Sequence, residues 1–353
     1  MTYFRKNIEA MAGYVPGEQP EAGQRVVKLN QNENPYPPSP AVLEALKAFD
    51  AGVLRLYPDP MAAALCKAAG EALGVPSEWI LPGDGSDDLI MMLARAAAGP
   101  ARPIAYPTPT FPFYCTQGQI EGAELVEVPA AEDFSLPVER MAEVNAALTF
   151  VCSPNSPTGA TADADALAEL AGRLSGILVI DEAYVDFADA DALSVVGRCD
   201  NVIVLRTLSK GYSLAGLRLG FGIARPPLLE GLVKTKAIYN VGALPAALGA
   251  AAMKDRAYHA ECVARIRSER ARLAAALEGR GFVVWPSGGN FLMVTVPGGD
   301  GRGTFEALKA RNVLVRYFQQ DRLLDKLRIS VGRPEDTDAL LAALDDAGAG
   351  NTP

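Results

Sequence analysis

Three short apolar runs each end in polar residues whose types could do covalent and acid–base chemistry. "ALTFV" (147–151) leads into "CSPNSPTG", which offers the amide of Asn155. "GILVI" (176–180) leads into "DEAY", with the carboxylate of Asp181 and the phenol of Tyr184. "NVIVL" (201–205) leads into "RTLSK", with the hydroxyl of Ser209 and the amine of Lys210. The stretch "RTLSKGYSLAGLRLG" (206–220) holds Lys210 and Arg218 but no acidic residue. A lysine in such company suits a neutral amine that condenses with a carbonyl, not one half of a salt bridge. Each cluster alone has an ordinary reading: most lysines are surface charges, "SPNSPTG" is a turn sequence, and a lone Asp can cap a helix. What distinguishes them is their joint placement at successive strand ends.

A fourth stretch, "LPGDGSDDLIMMLARAAA", reads as a tight turn at Gly83 and Gly85, then Ser86 as N-cap of an apolar-faced helix. Backbone N–H groups at such a helix start can cradle a phosphate. Asp87 and Asp88 suit the positive helix end but would repel a phosphate. They must point aside, or Arg218 and Ser209 must compensate. A phosphate seat, an amine, a carboxylate and a phenol together meet the needs of pyridoxal 5'-phosphate. The amine forms a Schiff base with the aldehyde, the carboxylate keeps the ring nitrogen protonated, and Tyr184 and Asn155 bond the ring hydroxyl. "YPTPTFPFY" supplies Phe111, Phe113 and Tyr114 as rings that could stack on it.

The elements that must position these groups alternate strand and helix. "DADALAELAGRL" (163–174) is an amphipathic helix between the first two strands, which implies a largely parallel sheet covered on both faces. In such a sheet ligands bind beyond the carboxyl ends of the strands. Residues 1–40 are rich in Pro, Asn and Gly and read as an arm. Ser39 and Pro40 then start a helix with Val42, Leu43, Leu46 and Phe49 on one face. Residues 41–245 form a large domain, and 246–353 a smaller α/β domain. The latter opens with a long or bent helix. "FVVWPS", "NFLMVTVP", "VLVRYF" and "LRISVG" follow as strands, with helices at 303–311 and 335–346 and a loose tail.

Composition narrows the chemistry further. The 353 residues carry a net charge of −9, which argues against nucleic acid or a polybasic membrane patch as partner. No apolar run has the length of a signal peptide or a membrane span, so a cytoplasmic protein is expected. Five scattered cysteines without CxxC spacing argue against zinc or a disulfide framework. The one histidine, His259, is expected on a polar helix face, which leaves no Ser-His-Asp triad and no His-based metal site.

With these motifs the chain resembles the fold-type-I pyridoxal-phosphate aminotransferases of class I/II. "SPNSPTG", "DEAY" and "TLSKGYSLAGLRLG" carry the resemblance, which covers nearly the whole chain; "NENPYPPSP", "YPDP" and "GDGSDD" narrow it to the histidinol-phosphate aminotransferases. It implies an α/β fold, with a mostly parallel central sheet flanked by helices in the large domain and a smaller C-terminal α/β domain. Lys210 would be the Schiff-base lysine and proton carrier, and Asp181 the partner of the ring nitrogen. Asn155 and Tyr184 would bond the ring oxygen, and Phe111, where the family often has Tyr, would stack. Ser86 and Asp87 (through backbone N–H), Ser209 and Arg218 would hold the phosphate. Tyr57 would reach the cofactor of a neighbouring subunit, implying a homodimer with shared sites. Tyr14, Asn32, Arg316 and Arg328 would face substrate.

The implied reaction is transamination between L-histidinol phosphate and 2-oxoglutarate in histidine biosynthesis, with small-molecule amines and keto acids as partners. An aromatic amino-acid aminotransferase and a threonine-phosphate decarboxylase remain alternatives. A cofactor-binding regulator would not need every catalytic group, and a nicotinamide dehydrogenase would leave Lys210 unexplained and lacks GxGxxG after an early strand. Against the family pattern, Asp88 stands for Glu, Gly211 for Ala, and Ser153 and Ser156 for Asn.

Overall fold

The computed structural model describes residues 3–13, 20, 23 and 25–348. Tyr14 and residues 349–353 of the expected tail lie outside the described residues. The centre is a seven-stranded sheet. Its strands are β1 (Ile80–Asp84), β2 (Ile104–Thr108), β3 (Leu125–Pro129), β4 (Leu148–Cys152), β5 (Ile177–Asp181), β6 (Val202–Thr207) and β7 (Leu219–Ala224), in the order β1-β7-β6-β5-β4-β2-β3. Strands β2 to β6 pair parallel; β7 runs antiparallel between β1 and β6. The expected strands at 147–151, 176–180 and 201–205 thus begin one residue later and reach one or two further. Pairing continues to Cys152 opposite Asp181, so the polar ends are themselves built into the sheet.

Alternate residues of the inner strands enter two different cores, as the two-residue period of a strand requires. Val151, Leu178, Ile180, Val202 and Val204 join one core with the helices Ala63–Leu73, Ala164–Arg173 and Ala243–Lys254. Phe150, Cys152, Val179, Ile203 and Leu205 join the other, with Gly85–Ala97 and Pro226–Val233. Both faces are covered, which is why these strands are apolar without alternation.

Ser39 caps the helix Pro40–Ala48 through its hydroxyl to the Val42 N–H. Of the apolar face expected there only Val42 is buried; Leu43 and Leu46 stay exposed. The long helix after residue 242 is bent into Ala243–Lys254 and Arg256–Glu278, and Asp255 at the joint accepts from the Tyr258 N–H. The division expected near 246 falls inside the first of these, whose Leu248 and Met253 pack into the large-sheet core. Beyond it, Leu273 is the first residue in the small domain's core, where it joins Leu29 of the N-terminal segment.

That domain is an antiparallel sheet of β8 (Val283–Val284), β9 (Phe291–Thr295), β10 (Arg316–Tyr317) and β11 (Lys326–Ser330), in the order β10-β11-β9-β8. The helices Gly301–Lys309 and Pro334–Asp346 accompany it. "VLVRYF" is split, because Val313–Leu314 pairs instead with Val27–Lys28 of the N-terminal segment. That pairing ties the segment down, and it goes on to supply the buried Asn30 and Asn32. Among the described residues no helix is long and apolar enough to cross a membrane.

Candidate active site

Two connected chambers open beyond the carboxyl ends of β4, β5 and β6. The inner one, about 160 Å³, is lined by residues that include Ser86, Asp87, Cys152, Asp181 and Thr207. The outer one, about 320 Å³, has Thr110, Arg316, Phe318 and Arg328 on its walls. Phe111, Ser156, Tyr184, Ser209, Lys210 and Arg218 line both. The sheet register explains the gathering: Cys152 pairs with Asp181, and Asp181 with Leu205, so adjacent strands deliver their polar ends at one level.

Lys210 stands on the wall between the chambers. Its Nζ donates to the Gln31 carbonyl at 3.1 Å and lies 5.4 Å from the centre of the Tyr184 ring. Among the described residues no carboxylate pairs with it. The Lys210 and Gly211 carbonyls accept from Asn34 Nδ2 at 3.0 and 3.2 Å, which fixes the loop to the N-terminal segment. Gly211 has its own reason: a Cβ there would lie 2.3 Å from Asp186 Oδ2. Asp186 in turn is 3.4 Å from His259 Nε2. His259 is therefore no surface residue; it is half-buried and stacked on Tyr212 at 4.0 Å, because its helix packs against the lysine loop.

Asp181 is 3 % exposed. Burial pushes its carboxyl up to about 6, against the bonds that Tyr114 and the Ala183 N–H give it. Tyr114, one of three rings that could have stacked on a cofactor, is instead fully buried against Phe150 and donates to Asp181 at 2.6 Å. Phe111 alone of the three lines the chambers.

Next door, Glu182, just past the end of β5, and Arg206 of β6 form a buried pair at 2.8 Å beside the reactive residues. Burial pushes Glu182 up to about 7, and the Arg206 charge opposes this.

The helix Gly85–Ala97 starts at the inner chamber. Its N-cap position is Asp84, so Ser86 lies in the first turn and is not the cap expected for it. The backbone needs a left-handed residue at the start, and Gly85 supplies it with φ +79°. Any Cβ there would also sit 2.7 Å from Arg218 Nη2. The two acidic residues divide. Asp87 Oδ2 accepts from Arg218 at 2.9 Å, whereas Asp88 turns aside to the Asn240 amide and the Asp84 N–H. Burial raises the Asp87 carboxyl, and Arg218 lowers it. Ser209 Oγ accepts from Thr207 and, at 3.4 Å, from Arg218.

Two expected residues are held by partners outside the chamber linings. Asn155 does not line either chamber. Its amide donates to the Pro109 carbonyl and Thr158 Oγ1 and accepts from Thr110 at 2.6 Å, tying two loops together. Asn32 is wholly buried and faces no chamber. Its amide donates to the Tyr184 hydroxyl at 3.1 Å and accepts from the Ser330 hydroxyl, so it braces Tyr184. Both are short buried amides, and burial makes every donor and acceptor around them seek a partner.

Arg328 lies between the Phe291 and Phe318 rings and donates to Ser156 Oγ and the Asn30 carbonyl. Arg316 lies over Phe318. Tyr57 is far from burial, 83 % exposed, and stacks on Tyr239 at 4.6 Å. Tyr114, Thr110, Gln31 and Ser330 were not foreseen in these roles. Their signal lay only in the parity of strand positions and in contacts across long sequence separations.

These groups fit pyridoxal phosphate on this structure's own terms. A buried carboxylate costs free energy unless a cation meets it, and a ring nitrogen bearing a proton would do so. The glycine-floored helix start beside Arg218 suits a phosphate. The fold and the chambers together define a fold-type-I pyridoxal-phosphate-dependent transferase. Comparison with known proteins makes this particular: the family model "Aminotransferase class I and II" matches residues 24–344, and the chain belongs to that family.

The relatives agree. A histidinol-phosphate aminotransferase 1 of Trichormus variabilis is 50% identical over 344 residues, 98% of both chains. One of Citrifermentans bemidjiense is 43% identical over 350 residues, covering 99% of this chain and 100% of the relative. Among solved structures, the histidinol-phosphate aminotransferase of Sinorhizobium meliloti in complex with pyridoxal-5'-phosphate superimposes with a TM-score of 0.89. It is 27% identical, and 98% of each chain is covered.

Proposed function

We propose that this aminotransferase moves an amino group between L-histidinol phosphate and 2-oxoglutarate, as a step of histidine biosynthesis, with pyridoxal 5'-phosphate as cofactor. The observation that carries the reading is the outer chamber. Besides Arg218, which it shares with the inner chamber, two further guanidinium groups, Arg316 and Arg328, line it, and Lys210 lines both chambers. Arginine bonds phosphate and carboxylate alike in a bidentate way, so one chamber can serve both the amine's phosphate and the keto acid's carboxylate in turn. Full-length identity to histidinol-phosphate aminotransferases favours histidinol phosphate over an aromatic amino acid as the amine.

When bound, the cofactor supplies an aldehyde that carries the amino group and a ring that accepts the electron pair released at the substrate carbon. The protein does the rest. Lys210 Nζ would be the group that holds the cofactor's aldehyde end, and its amine stands where it could take the proton from the substrate α-carbon. Asp181 would hold the ring-nitrogen proton from within the sheet, Phe111 would cover the ring, and Tyr184, steadied by Asn32, would serve the ring oxygen. Ser209, Arg218 and the N–H groups of Ser86 and Asp87 hold the phosphate. Asn155 serves the ring less directly, by holding Pro109 and Thr110 against the chamber wall.

The partner is a second copy of the chain. Leu54, Leu56, Tyr57, Ile238 and Tyr239 form an exposed apolar surface that suits burial against another subunit. Tyr57 would then serve the neighbour's phosphate. All five cysteines are unpaired, as suits a reducing cytoplasm.

The test is the visible spectrum of the cofactor-loaded protein with histidinol phosphate, L-phenylalanine or phosphothreonine, each without keto acid. Fastest loss of the visible band with histidinol phosphate is the expected result. Faster loss with phenylalanine moves the protein to the aromatic branch. The same experiment on Lys210→Ala should show no band and no turnover.

A further inference from the structure

The two carboxylate oxygens of Asp181 are held by different kinds of donor. Oδ1 accepts the Ala183 N–H at 3.1 Å, a backbone bond that any sequence could make. Oδ2 accepts the Tyr114 hydroxyl at 2.6 Å, which only a tyrosine at this position provides. That length is typical of a charge-assisted O–H···O⁻ bond. Both residues are buried, and the phenol cannot drift. Its ring stacks on Phe150 at 4.4 Å and 7°, and Phe111 meets it edge-on at 5.6 Å. Strand parity sets the contact, because Phe150, Cys152, Val179 and Asp181 point to the same side of the sheet as the helix that carries Tyr114. The Cys152 thiol lies beside the same phenol.

We propose that Tyr114 is a positioning residue that fixes the Asp181 carboxylate and disperses its negative charge, and so sets how strongly Asp181 holds the ring-nitrogen proton of the cofactor. This rests on the pyridoxal-phosphate reading above. The bond has a defined direction. Burial and the Asp181 charge both push the Tyr114 phenol well above its usual range, so it stays a donor at every working pH. Donation favours the charged carboxylate, which must remain an anion to pair with a protonated ring. It also draws charge away from that anion. With the donor removed, Oδ2 would be buried without its phenol, and more negative charge would face the ring. A tyrosine kept only for packing would be replaceable by phenylalanine, since the stack on Phe150 needs no hydroxyl.

The experiment is a spectrophotometric pH titration of the visible band of the Lys210-bound cofactor, in wild type and in Tyr114→Phe. Extra charge on Asp181 stabilises the protonated, cationic form of that group. The midpoint is therefore expected to rise by about half a unit or more in the variant. Installing p-aminophenylalanine at position 114 returns an N–H donor to the same place, weaker than the phenol, and should bring the midpoint part of the way back. A midpoint unchanged in Tyr114→Phe, or one that falls, overturns the proposal. If that variant does not accumulate in soluble form, the p-aminophenylalanine variant decides alone: its midpoint must lie above wild type, and equality overturns the proposal. Absence of the band in wild type would instead sink the cofactor reading, so the two failures are distinct.

Discussion

Arg218 Nη2 and Asp87 Oδ2 meet at 2.9 Å at the mouth of the inner chamber, although 131 residues separate them in the chain. The pair resolves the conflict of an acidic helix start beside a phosphate seat. Arg218 cancels the charge of Asp87 and still presents its other face toward Ser209. Replacing Arg218 by Ala removes that compensation and a charge-assisted donor together. Cofactor affinity should fall by about 10- to 100-fold, the equivalent of one or two strong bonds to a charged group. Equilibrium dialysis against free cofactor measures it. Asp87→Asn, which removes the competing charge, should weaken binding far less.

The cofactor-free protein should lose stability as pH rises from about 4 to about 6. Burial raises the Asp181 carboxyl to about 6 from a usual 3.8. Between those values the folded state keeps a proton that the unfolded chain has released. Stability from this group is complete below the unfolded value and is gone above the folded one. The span amounts to about 2–3 kcal/mol. Thermal unfolding across that pH range, in apoprotein and in Asp181→Asn, reads it: the Asn variant should lack this slope. Loaded protein should reverse the trend, because the protonated ring rewards the charged carboxylate.

Gly211→Ala should destabilise the lysine loop, since the new Cβ would fall 2.3 Å from Asp186 Oδ2. Overpacking of this kind costs about 1–3 kcal/mol. Asp186→Ala in the same chain removes the obstacle and should recover much of the loss. A double-mutant cycle on the unfolding midpoint tests the coupling. Additive effects would mean that the two residues do not oppose each other.

Ile238→Glu tests the exposed surface around Tyr57. Ile238 is 71 % exposed in the single chain, so a charge there should change monomer stability by no more than about 0.5 kcal/mol. Covered by a second copy, it would bury an unpaired carboxylate. Sedimentation should then show wild type as a dimer and the variant shifted toward monomer. Two identical profiles of single chains would remove the dimer and the shared role of Tyr57.

The sequence by itself determined the sheet and the reacting groups. Short continuous apolar runs ending in "DEAY" and "RTLSK" read as strands buried on both faces, and a strand end is where a sheet opens. Asp181, Lys210 and Tyr184 were therefore legible as residues at one edge, and Arg218 and Gly85 as parts of a phosphate seat. Only the tertiary structure decided which groups face the chambers and which serve behind them. Asn155 and Asn32 are amides of the right type at the right level, yet long-range partners (Pro109 and Thr110 for one, Ser330 and Tyr184 for the other) turn them into braces. Tyr114 became a donor to Asp181 and His259 a neighbour of the lysine loop for the same reason. The direction of a buried polar side chain is set by the partner it must find, and that partner lies tens or hundreds of residues away, where no local pattern records it.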